Sequence, residues 1–142
     1  MSTPLAPVLA LDPGKDKCGV AVTQFDNGAA EILERRIIAA SSVEAQLPAL
    51  LKKFNVATIV LGNATTSSAW RERLSTLLPG IEIVVVDERG STLAARELYW
   101  QQNPPRGWRK VLPLSLQMPP EPIDDFAAVV IAKRYFLSAG KR

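Results

Sequence analysis

The sequence predicts a mixed α/β fold: one β-sheet with helices on its faces. Three observations carry this expectation. The chain begins with three β-like runs separated only by turn residues. Two later runs, ATIVL at 57–61 and IEIVVV at 81–86, are almost wholly apolar, as parallel strands covered on both faces are. Around them lie stretches whose apolar residues recur at helical spacing. The order is βββαβαβα, with a proline-rich loop and then the last helix.

The first two strands come from 8–22, VLALDPGKDKCGVAV. An apolar run ends in Asp12, Pro13 and Gly14 turn the chain, and a second run begins at Cys18. This hairpin holds Asp12 at the rim of the sheet, with Gly14 and Gly19 keeping the space beside it open. Asp26-Asn27-Gly28 is a hairpin signal and leads to a third strand over 31–39. Ser41 or Ser42 caps a first helix, with Glu44 in capping-box position relative to Ser41. Val43, Leu47, Leu50, Leu51 and Phe54 share one face of it. Pro48 fits only if regular helix begins near Ala45, so that it falls in or near the first turn.

After the strand at 57–61, Gly62 and Asn63 turn the chain. Ser67 or Ser68 starts a second helix, whose Leu74, Leu77 and Leu78 face inward and which Pro79-Gly80 stops. The strand at 81–86 ends in Asp87 and Glu88. A third helix covers 92–101, capped by Ser91 or Thr92. Residues 103–122 hold six of the eleven prolines. No regular element survives that density, so this is a loop. A last helix covers 123–137, with two acids in its first turn.

Composition narrows the chemistry. With 142 residues, one domain over 1–142 is expected. A net charge of +3 permits a polyanionic partner. The single Cys excludes an internal disulfide and a cysteine-rich zinc site. The absence of His removes imidazole bases, imidazole ligands and the Ser-His-Asp triad together. Catalysis, if present, rests on carboxylates, Lys, hydroxyls or bound ions. No apolar run is long enough to span a membrane, and the N-terminus has no signal-peptide pattern. The expectation is a cytoplasmic protein with no membrane partner.

Three acids stand at element ends: Asp12 closing the first strand, Glu88 just past the last, and Asp124 with Asp125 opening the last helix. Taken singly, each has an ordinary structural explanation. Asp12 serves equally well as a turn cap, Glu88 as an exposed loop acid, and Asp124 and Asp125 as helix-terminal acids favoured by the dipole. Together they belong to one rim, because parallel strands of one sheet end on the same edge. Carboxylates converging there repel one another unless a divalent cation is present, which points to Mg²⁺ or Mn²⁺. Two such ions activate a water and stabilise the leaving oxygen in phosphodiester hydrolysis, without any histidine.

Asp12-Pro13-Gly14 with Gly19-Val20-Ala21-Val22 resembles the opening motif of the YqgF/RuvX family, the Holliday-junction-resolvase-like branch of the RNase H-like superfamily. Asp87-Glu88-Arg89, Ser91-Thr92 and Ala95-Arg96 resemble its second motif. Ile123-Asp124, Ala127-Ala128, Val130-Ile131 and Tyr135-Phe136 resemble its last helix. The three motifs run through essentially the whole chain in the family's order. The resemblance implies the RNase H-like fold, with a five-stranded sheet in the order 3-2-1-4-5, strand 2 antiparallel, and helices on both faces. It also implies metal-dependent cleavage of structured nucleic acid, in ribosomal RNA maturation or junction resolution. Asp12, Glu88 and Asp124 carry over as the catalytic, metal-binding acids; Asp125 does not match. The chain departs from the family at Gly62-Asn63-Ala64-Thr65-Thr66, usually Gly-Leu-Pro with glycines, and in the proline-rich loop with Trp100 and Trp108.

Basic residues supply the nucleic-acid-binding half of such an enzyme. Lys15 and Lys17 flank Asp12, Arg89 adjoins Glu88, and Arg106, Arg109 and Lys110 surround Trp108. Basic groups interleaved with an aromatic suit unpaired bases and their phosphates, although Trp108 and Trp100 serve as well to pin the loop. Arg35-Arg36, Lys52-Lys53 and Lys133-Arg134 read as solvated faces. The sequence reading is therefore a metal-dependent endonuclease acting on ribosomal RNA precursor or branched DNA, as monomer or homodimer. Its alternative is a catalytically weak or inactive nucleic-acid-binding member of the same fold.

Overall fold

The computed structural model describes residues 6–63, 66–87, 89–104 and 119–139. Five strands form one sheet in the order β3-β2-β1-β4-β5. They are β1 (Val8–Asp12), β2 (Lys17–Asp26), β3 (Ala29–Ala39), β4 (Thr58–Gly62) and β5 (Glu82–Val86). β2 runs antiparallel to both β1 and β3, while β4 and β5 run parallel to β1. This is the order and direction that the family resemblance implies. Among the described residues four α-helices accompany it: α1 (Val43–Lys53), α2 (Ser67–Leu77), α3 (Ser91–Gln102) and α4 (Asp124–Ala139). Among the described residues, no helix is long and apolar enough to cross a membrane.

Alternation along the strands sorts side chains into two cores. Leu9, Leu11, Cys18, Val20, Val22, Ile59 and Leu61 meet α1 and α2 on one face. Val8, Ala10, Ala21 and Val60 meet α4 on the other, with α3 packed against α4. The α4 face is built from small residues, so the helix lies close to the strands. Phe126 to Ala132 are buried without a break, as expected for a helix covered by the sheet on one side and another helix on the other.

Several local expectations hold and several are corrected. Asn27 and Gly28 both take positive φ, 52° and 79°, which is the type I′ geometry that a tight hairpin needs. The predicted capping box at Ser41 does not form. A 3₁₀ turn over Ala40–Ser42 precedes α1, no side chain caps the helix, and the Glu44 carboxylate instead pairs with Arg73 of α2. Helix α1 begins at Val43, so Pro48 lies inside it rather than in its first turn. The missing N–H costs one helical hydrogen bond, and burial of Val43, Leu47, Leu50 and Leu51 offsets the loss. In α2 the inward residues are Trp70 and Leu74, while Leu77, expected to face inward, is exposed. Gly90, in the left-handed conformation, precedes α3 in place of a hydroxyl cap. Trp100 is buried and edge-on to Tyr99. Most of the proline-rich loop lies outside the described residues.

Candidate active site

The site begins with strand parity. On β1, Val8 and Ala10 point to the α4 face, and the same alternation assigns Asp12 to that face. On β2, Ala21 points there, and so do positions 19 and 17. The register pairs Asp12 directly with Gly19 across the two strands. Such partners have Cα atoms about 4.5–5.5 Å apart. Asp12 is half-buried, at the last position of its strand.

Gly19 brings in the second acid. A Cβ at this position would overlap the backbone carbonyl oxygen of Asp124 and lie 2.8 Å from the backbone nitrogen of Asp125. The N-terminus of α4 therefore rests on the bare backbone of β2, and only glycine permits the approach. Asp124, the first residue of α4, is thereby placed beside the strand pair that carries Asp12. Lys17, two residues before Gly19 and on the same face, sets its Nζ 3.4 Å from Asp124 Oδ2, both side chains remaining partly exposed. Lys15 is exposed in the turn between the strands.

The neighbouring acid does different work. Asp125 is buried. Its Oδ2 accepts a 2.6 Å hydrogen bond from Arg35 Nη1 on β3, and its Oδ1 accepts the Phe126 N–H at 3.0 Å. The Arg35 guanidinium lies 4.1 Å from the Phe126 ring centroid. Arg35, expected on a solvated face, is thus a clamp holding α4 to β3. Arg36 and Lys53 likewise pair with Glu34. Beneath the site, the Cys18 thiol is buried, and burial pushes its pKa up. The carboxylates of Asp12 and Asp124 add to the rise, against a lowering contact from the Gly14 carbonyl.

The third rim position is the end of β5. Asp87 Oδ1 accepts the backbone N–H of Arg89 at 2.9 Å, and the Arg89 side chain is 90% exposed. Arg134 of α4 donates from Nη1 to the Asp87 carbonyl at 2.9 Å, so it braces this turn instead of lying on a solvated face. Its sequence neighbourhood gave no signal, because the partner lies across the sheet. Glu88 lies outside the described residues, as do Arg106, Trp108, Arg109 and Lys110. Among the described residues, no three His, Cys, Asp or Glu side chains converge as a metal site; Asp12 and Asp124 supply two carboxylates. The Asp12 and Asp124 carboxylates are hard oxygen donors of the kind that hold a divalent cation such as Mg²⁺ or Mn²⁺.

Comparison with known proteins agrees with this architecture. The RuvX family, described as "Holliday junction resolvase", matches residues 6–138. A Staphylococcus aureus protein (strain bovine RF122 / ET3-1) named "Putative pre-16S rRNA nuclease" is 32% identical, over 90% of this chain and 93% of its own length. Its counterpart in strain JH9 is 31% identical over the same shares. Among solved structures, a Fowlpox virus resolvase bound to Holliday junction DNA superposes with a TM-score of 0.64, covering 94% of this chain and 98% of that one at 13% identity. Thermus thermophilus RuvC superposes with a TM-score of 0.58, covering 92% and 94% at 15% identity. At those identities the likeness shows the fold, which is RNase H-like.

Proposed function

The chain belongs to the RuvX family of nucleases and resolvases, and from that premise we propose that it is a metal-dependent endonuclease acting on structured nucleic acid. The observation that supports this most is the contact of Gly19 with the Asp124 backbone, which joins the Asp12 strand pair to the start of α4. Asp12, Glu88 and Asp124 are the proposed catalytic acids and the ligands for Mg²⁺ or Mn²⁺. Bound there, the ions would supply an activated water and charge neutralisation at the phosphate. The protein's own share is to hold the carboxylates on rigid element ends and to bring the phosphate to them.

Lys15, Lys17 and Arg89 are proposed to bind the phosphate backbone close to the acids, and Arg106, Trp108, Arg109 and Lys110 to extend that surface. Positive charge around a carboxylate cluster offsets the repulsion that a polyanion would otherwise meet. The proposed substrate is precursor ribosomal RNA or branched DNA. The S. aureus relatives carry the first in their names, and the viral resolvase was solved with the second. Trimming one RNA end needs a monomer only, whereas cutting two strands of a junction calls for a homodimer. The whole chain acts as one catalytic domain in the cytoplasm.

The test is cleavage of labelled four-way DNA junctions and precursor 16S RNA with Mg²⁺ or Mn²⁺, comparing wild type with Asp12→Asn. Cleavage by wild type that Asp12→Asn loses is the expected result. Equal cleavage by both, or none by either, overturns the catalytic reading; binding without cleavage identifies a nucleic-acid-binding member of the fold.

A further inference from the structure

α4 crosses mainly over β1, β2 and β3 and leaves the outer strand, β5, largely bare on that side. The result is a groove of 780 Å³ between β5 and the C-terminal half of α4, within the size range of ligand clefts. One wall is Val84 and Val86, which share the α4-facing side of β5 by alternation. The other is Tyr135 and Leu137, the latter 59% exposed. Because β5 runs parallel to β1, the Val86 end opens on the same rim as Asp12, and the Glu82 end points away.

The charges are graded along this axis. At the rim end stand Arg89 and Arg134. Arg134 spends one N–H group on the Asp87 carbonyl, which fixes its guanidinium at the mouth and leaves further donors. The Asp87 carboxylate there is already answered by Arg89, through the backbone N–H at 2.9 Å and Nε at 3.9 Å. The other acid among the described lining residues, Glu82, sits at the far end and receives the Thr58 hydroxyl at 3.4 Å. A groove that is cationic at its mouth, apolar along its walls and furnished with one phenol ring fits a short unpaired polynucleotide, whose phosphates pair while its bases stack.

We propose that this groove is a subsite for unpaired nucleotides of the substrate, entering at the rim beside the cleavage point. The phosphates lie at Arg89 and Arg134, and the bases lie along Tyr135 and the valine wall. This rests on the nuclease reading above and narrows its substrate to nucleic acid with a single-stranded segment next to the scissile bond.

The test is titration of the full chain with a fluorescent eight-nucleotide single strand and with a blunt duplex, in EDTA so that no cleavage intervenes. Tyr135→Leu keeps apolar bulk and removes the ring surface; Ser138→Glu adds a negative charge at an exposed groove position. Each is expected to weaken single-strand binding about five- to tenfold while duplex binding changes less than about twofold. Photocrosslinking of wild type to a 4-thiouridine oligonucleotide is expected to label the peptide holding Tyr135 and Leu137, and this arm does not depend on a variant folding. Unchanged single-strand affinity in both variants, or crosslinks mapping only elsewhere, overturns the subsite while junction or RNA cleavage by wild type leaves the nuclease reading standing. If wild type binds and cleaves no nucleic acid of any form, both readings fall together.

Discussion

Gly19 on β2 and Asp124 at the start of α4 touch backbone to backbone, with no room for a single methyl group between them. Gly19 is also the cross-strand partner of Asp12. One glycine therefore sets the distance between two acids that are far apart in sequence. Replacing it with alanine should push the helix off the strand or strain both. The expected loss is about 1–3 kcal/mol of stability, the usual cost of overpacking a close contact, together with loss of metal-dependent cleavage. Gly80→Ala is the control: nothing lies within 4 Å of its Cβ position, so urea unfolding should show no loss, or a gain of up to about 1 kcal/mol. Equal midpoints for the two variants would refute the contact.

Adjacent acids should separate cleanly by role. Asp125 is buried and clamped by Arg35 at 2.6 Å, so Asp125→Ala strands the guanidinium and removes the Phe126 N–H acceptor. A loss of roughly 2–4 kcal/mol is expected. Among the described residues Asp124 pairs with the half-exposed Lys17 across 3.4 Å, and solvent screening leaves such a pair worth about 0–1 kcal/mol. Asp124→Asn should therefore fold almost as stably as wild type and yet lose cleavage. The paired measurement is a urea midpoint beside a cleavage rate. An inactive, stable Asp125 variant with an active Asp124 variant would reverse the assignment.

Much of this was readable in the sequence, and the failures have identifiable causes. Strand parity, the Asn27-Gly28 turn and the positions of Asp12 at a strand end and Asp124 at a helix start are local patterns, and each appears where the pattern places it. That Gly19 keeps space open beside Asp12 was also legible; that α4 fills this space was not, since a sequence shows a glycine but not what approaches it. Arg35 and Arg134 look like surface charges in their own segments, because Asp125 and the Asp87 carbonyl lie elsewhere in the chain. Ser41 with Glu44 matched a cap motif, but Glu44 had a better partner in Arg73.

Lys17 holds a cationic group against Asp124, where the proposed ion must also bind. Ammonium and metal should compete for the same oxygen. Lys17→Met is accordingly expected to tighten Mn²⁺ binding by about two- to tenfold, the range that an exposed to half-buried ion pair covers, as read by electron paramagnetic resonance of free Mn²⁺. The same change should weaken nucleic-acid binding by removing one phosphate partner. Opposite shifts in the two affinities distinguish competition from general damage to the site, which would weaken both.

The buried thiol gives a pH signature. Burial raises the Cys18 pKa above its ordinary 9.0, and the nearby Asp12 and Asp124 charges push it further. The folded chain then keeps a proton that the unfolded chain releases. Stability from this group is fully present below pH 9 and is lost as pH rises above the unfolded value, by up to about 1.4 kcal/mol per pH unit until the folded thiol also ionises. Tyr99 is raised from 10.0 by its own burial, so the window for Cys18 alone is pH 9 to 10. Urea unfolding in EDTA across that window should show falling stability in wild type and a flat profile in Cys18→Ala, which forfeits a small amount of packing at every pH. The native thiol should also react slowly with a disulfide reagent at pH 8, because the reactive thiolate is scarce and covered. Rapid modification of the folded protein, or an equal pH slope in Cys18→Ala, would place the thiol at the surface.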